Sequence, residues 1–219
     1  MYITVNHTTL YYTQHGSGRP LILLHGNGAS HTSFAQLIPQ LAQRFTVYAV
    51  DTRDHGQSST TDYISYQLMA TDLEQFIETL HLNNPTVVGV GDGGISALLV
   101  AAHRPQLIHR LVLAGVHTQP RDLRLQKRLR LAADYLSRPR KKLGLQMWGP
   151  HITRRELAAV EAPTLVLAGA QDDIHLRAVR RLASGIPDAH LRLVPRATHT
   201  SYIDDADTFY HLIRAFINA

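Results

Sequence analysis

Short runs of apolar residues recur along most of the chain and alternate with segments of helical periodicity. The apolar runs span residues 20–24, 45–50, 86–90, 111–114, 164–168 and 190–194. Between two of these runs, Leu73, Phe76 and Leu80 are spaced three or four positions apart, as on one face of an amphipathic helix. Buried parallel strands read as continuous apolar runs and are joined by helical crossovers, so the pattern predicts the α/β class. We expect a mostly parallel, twisted sheet with helices on both faces.

The chain of 219 residues is expected to form a single domain over residues 1–219, because no Pro-, Gly- or Ser-rich linker and no repeat interrupts it. Two alternating segments at the start, residues 2–5 and 9–14, predict an antiparallel hairpin. The first residues show neither a basic region nor a continuous apolar stretch, and no run approaches the roughly 18 apolar residues of a membrane span. These features favour a cytoplasmic protein that does not contact a membrane.

Positive charge is concentrated in residues 117–156. This segment holds eleven lysine and arginine residues against three acidic residues, a net of +8 in a chain whose formal net charge is +5. It shows no convincing strand and follows the sixth predicted strand, so we expect a short helical lid over the carboxyl ends of the strands, where open α/β sheets bind ligands. The charge is typical of a solvated helix face, and the alternative is an anionic substrate or partner. Nucleic acid is not expected, because only Tyr135 and Trp148 interleave with the basic residues.

The composition argues against several kinds of chemistry. The chain has no cysteine, which excludes disulfides, thiolate catalysis and cysteine-ligated zinc. Its 14 histidines are scattered without an HxH or HExxH pair, so no metal site is expected. No P-loop motif is present, and the glycine-rich turn at residues 89–94 is by itself a weak signal, so a phosphate-binding turn is not expected.

Polar residues that suit a reaction centre follow three of the predicted strands. They occupy residues 25–28 (HGNG), 51–56 (DTRDHG) and 89–94 (GVGDGG). Glycines in the third group allow a sharp turn from strand into helix, because a residue without Cβ tolerates positive φ and close helix–strand contact. A site at the strand ends is therefore expected.

Five motifs, in order along the chain, resemble the α/β-hydrolase superfamily. LLHGNGAS is similar to its oxyanion loop, VDTRDHGQS to a common turn, and VVGVGDGGISALLVAAHRP to its strand, nucleophile elbow and helix. PTLVLAGAQDD and LVPRATHTSYID are similar to the segments that bear its acid and its histidine. The family's triad runs in the order Ser, Asp or Glu, His, so the resemblance assigns Asp172 as the acid and His199 as the base. It implies hydrolysis of a small ester, thioester or lactone without a cofactor.

The elbow departs from the family pattern at the nucleophile. Where the family has serine in G-x-S-x-G, this chain has Gly91, bracketed by Gly89 and Gly93. A register shifted by one would make Asp92 the nucleophile, as aspartate is in relatives that cleave carbon–halogen bonds or epoxides. The family's helix after the elbow usually ends in a proline about fourteen residues past the nucleophile. Pro105 lies fourteen residues past position 91, which favours the first alignment.

The same resemblance suggests the remaining site residues. The backbone N–H groups of Asn27 and Asp92 are expected to form an oxyanion hole. His25, Gly26 and Trp148 are expected to line the pocket, although a histidine that begins the oxyanion loop is more often structural than catalytic.

A glycine at position 91 leaves two functions open. An acyl-enzyme route needs a hydroxyl group that the histidine activates, and glycine has none. One hypothesis is an esterase-like hydrolase, inactive or slow, in which His199 and Asp172 activate a water instead. The other is a non-catalytic binding or signalling protein, for which the N-myc downstream-regulated proteins, with glycine at the corresponding position, are a precedent. Both hypotheses expect a small molecule as substrate or ligand.

Overall fold

The computed structural model describes residues 1–138 and 140–219, whose strands form one eight-stranded sheet. The strands are β1 (Tyr2–Val5), β2 (Thr8–His15), β3 (Arg19–Leu24), β4 (Phe45–Val50), β5 (Thr86–Val90), β6 (Arg110–Ala114), β7 (Thr164–Gly169) and β8 (Ala189–Val194). Their order across the sheet is β1-β2-β4-β3-β5-β6-β7-β8. Strands β1 and β2 form an antiparallel hairpin, and β2 also pairs antiparallel with β4. Strands β3 to β8 are parallel to one another. The predicted strands are confirmed, each end within one residue.

In the described ranges, helices lie in each connection from β3 to β8, and two more follow β8. They are α1 (Ile38–Leu41), α2 (Tyr66–Thr79), α3 (Gly91–His103), α4 (Leu125–Ser137), α5 (Lys141–Trp148), α6 (Arg154–Ala158), α7 (Leu176–Gly185), α8 (Ser201–Asp204) and α9 (Ala206–Asn218). Side-chain caps fix where two of the long helices begin. The hydroxyl of Ser65 accepts from the N–H of Leu68 at the start of α2, and the carboxylate of Asp205 accepts from the N–H of Thr208 at the start of α9. None of the helices in the described ranges is long and apolar enough to span a membrane.

Two hydrophobic cores cover the two faces of the sheet, because successive side chains of a strand point to opposite faces. On one face, Ile22 and Val50 pack in the core that includes the apolar sides of α2 and α3. On the other face, Leu21 and Val47 pack with residues of α1 and α9. The predicted sheet with helices on both faces is therefore confirmed.

The segment between β6 and β7, which contains α4, α5 and α6, is helical. A capping box between Thr153 and Glu156 starts α6, in which each side chain bonds the other's backbone N–H. The carbonyl of Lys142 in α5 accepts a hydrogen bond from the side-chain amide of Asn27 at 3.1 Å. This contact places α5 beside the loop that follows β3. Position 139, inside the predicted lid of residues 117–156, lies outside the described residues.

The turn from β5 into α3 depends on glycines whose backbones pack closely. A Cβ added to Gly89 would lie 2.4 Å from the Cα of Gly94, and one added to Gly93 would lie 2.7 Å from the carbonyl oxygen of His25. Backbone atoms of a helix and a strand cannot move aside as a flexible side chain can. The glycines therefore let α3 start directly above the sheet, which fixes where residue 91 is presented.

Replacing Gly89 with alanine is expected to lower the free energy of unfolding by about 2–3 kcal/mol, the usual cost of overpacking a filled site. Urea denaturation of the variant and the parent chain measures this difference. Gly26→Ala is the matched control, because its added Cβ would meet only the Val90 side chain at 3.6 Å and the Val90 carbonyl at 3.7 Å. Equal effects of the two substitutions would contradict the proposed role of close backbone packing at the elbow.

Candidate active site

His199 and Asp172 form a hydrogen-bonded pair at the carboxyl ends of the strands. The Nδ1 atom of His199 lies 2.8 Å from Oδ1 of Asp172. The Asp172 side chain is fully buried, whereas 30% of the His199 side chain is exposed, so water can reach the imidazole. Asp172 also accepts hydrogen bonds from the backbone N–H groups of Ile174 at 2.9 Å and Gly169 at 3.4 Å. The residues that the sequence assigned to acid and base are thus in contact.

The environment of Asp172 keeps its carboxyl group ionised. Burial alone would raise its pKa, but the hydrogen bond and the electrostatic influence of the His199 side chain, together with the two backbone N–H donors, outweigh burial and lower the pKa below its ordinary value. An ionised carboxylate on Nδ1 fixes the imidazole orientation and leaves Nε2 free to accept a proton. This is the arrangement that a general base requires.

The His199 ring lies against Gly115, the residue after β6. A Cβ added to Gly115 would come within 2.8 Å of Cε1 and 3.5 Å of Nε2 of His199. In the sheet, Val90 of β5 pairs with Ala114 of β6, so residues 91 and 115 follow neighbouring strands at the same level. Neighbouring strands lie about 4.8 Å apart, which brings the imidazole close to the position that the sequence aligns with the nucleophile.

Gly91 is the first residue of α3 and has the backbone geometry of a strand-to-helix elbow. Its φ is +48°, in the left-handed region, while Val90 before it is extended. A Cβ added here would meet only the Cα of Gly26, at the ordinary contact distance of 3.6 Å. There is accordingly room for a small side chain at position 91, and the predicted pocket residue Gly26 lies beside it.

The backbone N–H groups of Asn27 and Asp92 lie at the ends of β3 and β5, which are neighbours in the sheet. Asp92 is the second residue of α3, where a helical N–H has no partner within the helix. Among the described residues, the hydrogen bonds of the loop after β3 do not use the N–H of Asn27 either. Both groups remain candidates for an oxyanion hole, as the sequence suggested.

The side chain of Asp92 is held away from the reaction centre by two hydrogen bonds. Its Oδ2 accepts from the amide of Asn27 at 2.7 Å and its Oδ1 from the hydroxyl of Tyr66 at 3.0 Å. Burial raises the pKa of this carboxyl, and the bonds from Asn27 and Tyr66 oppose that rise only in part. A buried carboxyl group that already accepts two hydrogen bonds is poorly suited to attack a substrate, which argues against Asp92 as the nucleophile. Tyr66 was not identified from the sequence.

His25 is the first residue of the loop after β3 and is 1% exposed. Its Nε2 lies 3.1 Å from the backbone N–H of Thr52, so Nε2 is the acceptor, and Nδ1 donates to the carbonyl of Gly26 at 2.8 Å. Burial lowers the pKa of His25 to about 4, which keeps the ring neutral and suited to this pair of bonds. The ring links the loops after β3 and β4 instead of lining an open pocket.

The turn after β4 is braced by a buried ion pair. Arg53 donates from Nε and from a terminal nitrogen to the two carboxylate oxygens of Asp72 in α2, at 2.6 and 2.5 Å. The Nδ1 atom of His55 lies 2.9 Å from the carbonyl oxygen of Arg53. The partner Asp72 lies in α2, and its role emerges only from the fold.

His117 is a buried histidine that sequence reasoning passed over. It is 5% exposed, and burial lowers its pKa to about 4, with a further lowering from nearby His199. Its Nε2 has no hydrogen-bond partner among the described residues. The only signal in the sequence was its place just after the sixth strand, two residues beyond Gly115.

The pattern of the family described as "alpha/beta hydrolase fold" matches residues 19–136, which is more than half of the chain. This chain belongs to the α/β-hydrolase fold family. The match covers β3 to β6 and the elbow. The acid and base, Asp172 and His199, lie beyond the matched residues and are assigned from the geometry described above.

Relatives of this α/β-hydrolase chain cover nearly all of it. Serine hydrolase BPHL of Mus musculus is 27% identical over 247 aligned residues, which cover 98% of this chain and 85% of that protein. AB hydrolase superfamily protein YisY of Bacillus subtilis is 27% identical over 262 aligned residues, covering 99% and 98%. Among solved structures, the enol-lactonase of Burkholderia xenovorans LB400 superposes with a TM-score of 0.83 at 21% identity, over the full length of both chains, which supports the fold.

Trp148 lies apart from the paired acid and base of this α/β-hydrolase chain. Its side chain is 68% exposed and borders a groove of about 340 Å³ that Tyr63 and Tyr66 also line. Tyr66 separates this groove from the elbow, because its hydroxyl bonds Asp92. The described residues contain no cluster of three or more histidine or acidic side chains that could hold a metal ion.

Proposed function

We propose that this protein is a hydrolase of small ester, thioester or lactone substrates that lacks the serine nucleophile and is therefore slow. The observation that carries the proposal is the 2.8 Å bond between His199 and Asp172, with the imidazole against Gly115, which follows the strand next to the one that presents Gly91. The names of a serine hydrolase and an enol-lactonase among its relatives support the substrate class.

In the proposed reaction, water takes the place of the serine hydroxyl. His199 Nε2 removes a proton from a water as its oxygen attacks the carbonyl carbon, and Asp172 stabilises the imidazolium that forms. The N–H groups of Asn27 and Asp92 stabilise the negative charge on the carbonyl oxygen. The tetrahedral intermediate then expels the leaving group, which receives the proton from His199, and the acid product is released.

The proposed rate is low because, without a serine hydroxyl, no acyl-enzyme intermediate can form. A site of this type without its nucleophile retains about 10³–10⁴-fold catalysis over water, from the oxyanion hole and substrate binding. The glycine leaves space at position 91, which is compatible with a water there.

Hydrolysis of a short-chain aryl ester by the purified chain tests the proposal. We expect a rate above that of buffer, and His199→Ala is expected to lower it to the part that the oxyanion hole and substrate binding supply without a base. His190→Ala is the matched control, because His190 lies on β8 with 74% of its side chain exposed, and we expect it to leave the rate unchanged. A rate that does not respond to His199→Ala would exclude the proposed base.

The second candidate function is non-catalytic binding of a small molecule, and Gly91 itself favours it because it offers no atom for attack. This candidate predicts ligand binding without turnover, both in this chain and after a serine is introduced at position 91. Turnover by the serine variant would reject it.

A further inference from the structure

A cavity of about 790 Å³ opens between the loop after β3 and the junction of α4 and α5. Asn27 and Gly28 line one side, and four cationic residues line the other: Arg138, Arg140, Lys141 and Lys142. Its size is that of a small-molecule site. The cavity therefore joins the predicted oxyanion loop to the most basic part of the chain.

The acidic residues of the cavity do not balance these cations. The Nζ atom of Lys141 lies 2.9 Å from Oδ2 of Asp54, and Lys141 also donates to the carbonyl of Thr61. The charges of Lys141 and Asp54 therefore cancel, and these contacts hold the Lys141 side chain against the loop after β4. The one other carboxylate that lines the cavity is Asp134.

Three cations in this cavity have no ion-pair partner within 4.0 Å among the described residues: Arg138, Arg140 and Lys142. Burial, together with the charges of Lys141 and Arg140, lowers the pKa of Lys142, while Asp54 opposes this effect. Crowded cations of this kind are stabilised when an anion enters.

Lys142 connects the cationic side of the cavity to the loop after β3. Its carbonyl accepts a hydrogen bond from the Asn27 side chain, and the same amide group binds Asp92, the residue after Gly91. Asn27, which lines the cavity, thus contacts both α5 and the start of α3.

We propose that the cavity binds a carboxylate carried by the substrate, so that half-esters of dicarboxylic acids are preferred over the corresponding neutral esters that lack the carboxylate. This inference rests on the proposed function for its catalytic part, whereas binding of the carboxylate does not. Arginine and lysine at the cavity supply donors to the carboxylate. Asn27, whose backbone N–H is proposed for the oxyanion hole, lines the same cavity.

Binding is measured first, by calorimetry of the unmodified chain with monomethyl glutarate and with the neutral methyl butyrate. We expect monomethyl glutarate to bind at least tenfold more tightly, and its affinity to fall as salt rises. Arg140→Gln/Lys142→Gln is expected to remove this preference. The matched control is Arg128→Gln/Arg130→Gln, which removes the same charge from exposed positions of α4 outside the cavity and is expected to keep it.

Equal affinity for the two ligands, or equal losses in the two double variants, would overturn the carboxylate site, as would binding of inorganic phosphate in place of monomethyl glutarate. Circular dichroism verifies that each variant is folded.

Kinetics of the Gly91→Ser variant then test the catalytic part, by comparing the mono-p-nitrophenyl ester of glutaric acid with p-nitrophenyl butyrate. A tenfold higher kcat/KM for the anionic ester, lost in the cavity double variant, is expected. If neither ester is cleaved but monomethyl glutarate still binds, the proposed function fails and the carboxylate site stands. Preference for the neutral ester would overturn the inference.

Discussion

Introducing serine at position 91 is expected to raise the rate of aryl-ester hydrolysis by at least about 10³-fold, because loss of the nucleophile from a triad costs at least that much. Position 91 follows the strand next to the one that ends before Gly115, against which the His199 ring lies, and Nδ1 of that ring is already bonded to Asp172. A Cβ at position 91 meets nothing closer than 3.6 Å, so the fold has room for it. Steady-state kinetics of Gly91→Ser and the parent chain measure the gain.

Two control variants separate the effect of the serine hydroxyl from the effects of backbone strain and of the carboxylate that orients the imidazole. Gly91→Ala carries the same strain at φ +48°, about 1–2 kcal/mol for a residue with Cβ, but no hydroxyl, and we expect no gain in rate. Gly91→Ser/Asp172→Asn keeps the hydroxyl but removes the carboxylate charge that orients the imidazole, and we expect about 10⁴-fold lower kcat than in Gly91→Ser. A serine variant as slow as the alanine variant would show that the remaining residues do not form a competent site.

Acid is expected to destabilise the fold well above the ordinary pKa of carboxyl groups, because His25 and His117 are buried as neutral rings. Burial lowers the pKa of each from 6.5 to about 4. Above pH 6.5 neither the folded nor the unfolded state binds these protons. Between pH 6.5 and 4 only the unfolded state does, so the free energy of unfolding falls by about 3 kcal/mol for each histidine over this window. Urea denaturation from pH 7 to 4.5 measures the slope.

Substituting one histidine assigns the effect. His117→Gln is expected to remove about half of the slope between pH 6.5 and 4.5, whatever it does to stability at pH 7. His190→Gln, on an exposed part of β8, is the matched control and should leave the slope intact. Asp72 and Asp92 act in the opposite sense near the lower limit, because burial raises their pKa and the folded state then holds the proton more tightly. A slope that is unchanged in His117→Gln would remove this histidine from the account.

The fold and the acid–base pair could be predicted because their signals are local in sequence. Each buried strand is a short apolar run, which can be recognised in the sequence without knowing which strand it pairs with. Asp172 and His199 lie in motifs that follow the last two strands, and the parallel sheet then brings them to one edge.

The support around the site was not predictable, because it depends on contacts distant in sequence. The hydroxyl of Tyr66 reaches Asp92 from 26 residues away, and Asn27 reaches Lys142 from 115 residues away. Gly115 belongs to no recognisable sequence motif. Its role, which is to leave space for the His199 ring, becomes visible only in the structure. For the basic segment, the sequence left an anionic substrate or partner open as an alternative, and only the packing of α5 beside the loop after β3 shows which of its cations line the cavity.

Covalent labelling of the Gly91→Ser variant tests the central claim most directly, since an organophosphonate ester reacts only with a hydroxyl that a neighbouring base activates. The intact mass after labelling should rise by one adduct, peptide mapping should place it at position 91, and His199→Ala in the same variant should prevent it. No adduct on the folded variant, or an adduct on another residue such as Ser96, would contradict the claim that His199 and Asp172 await only this oxygen.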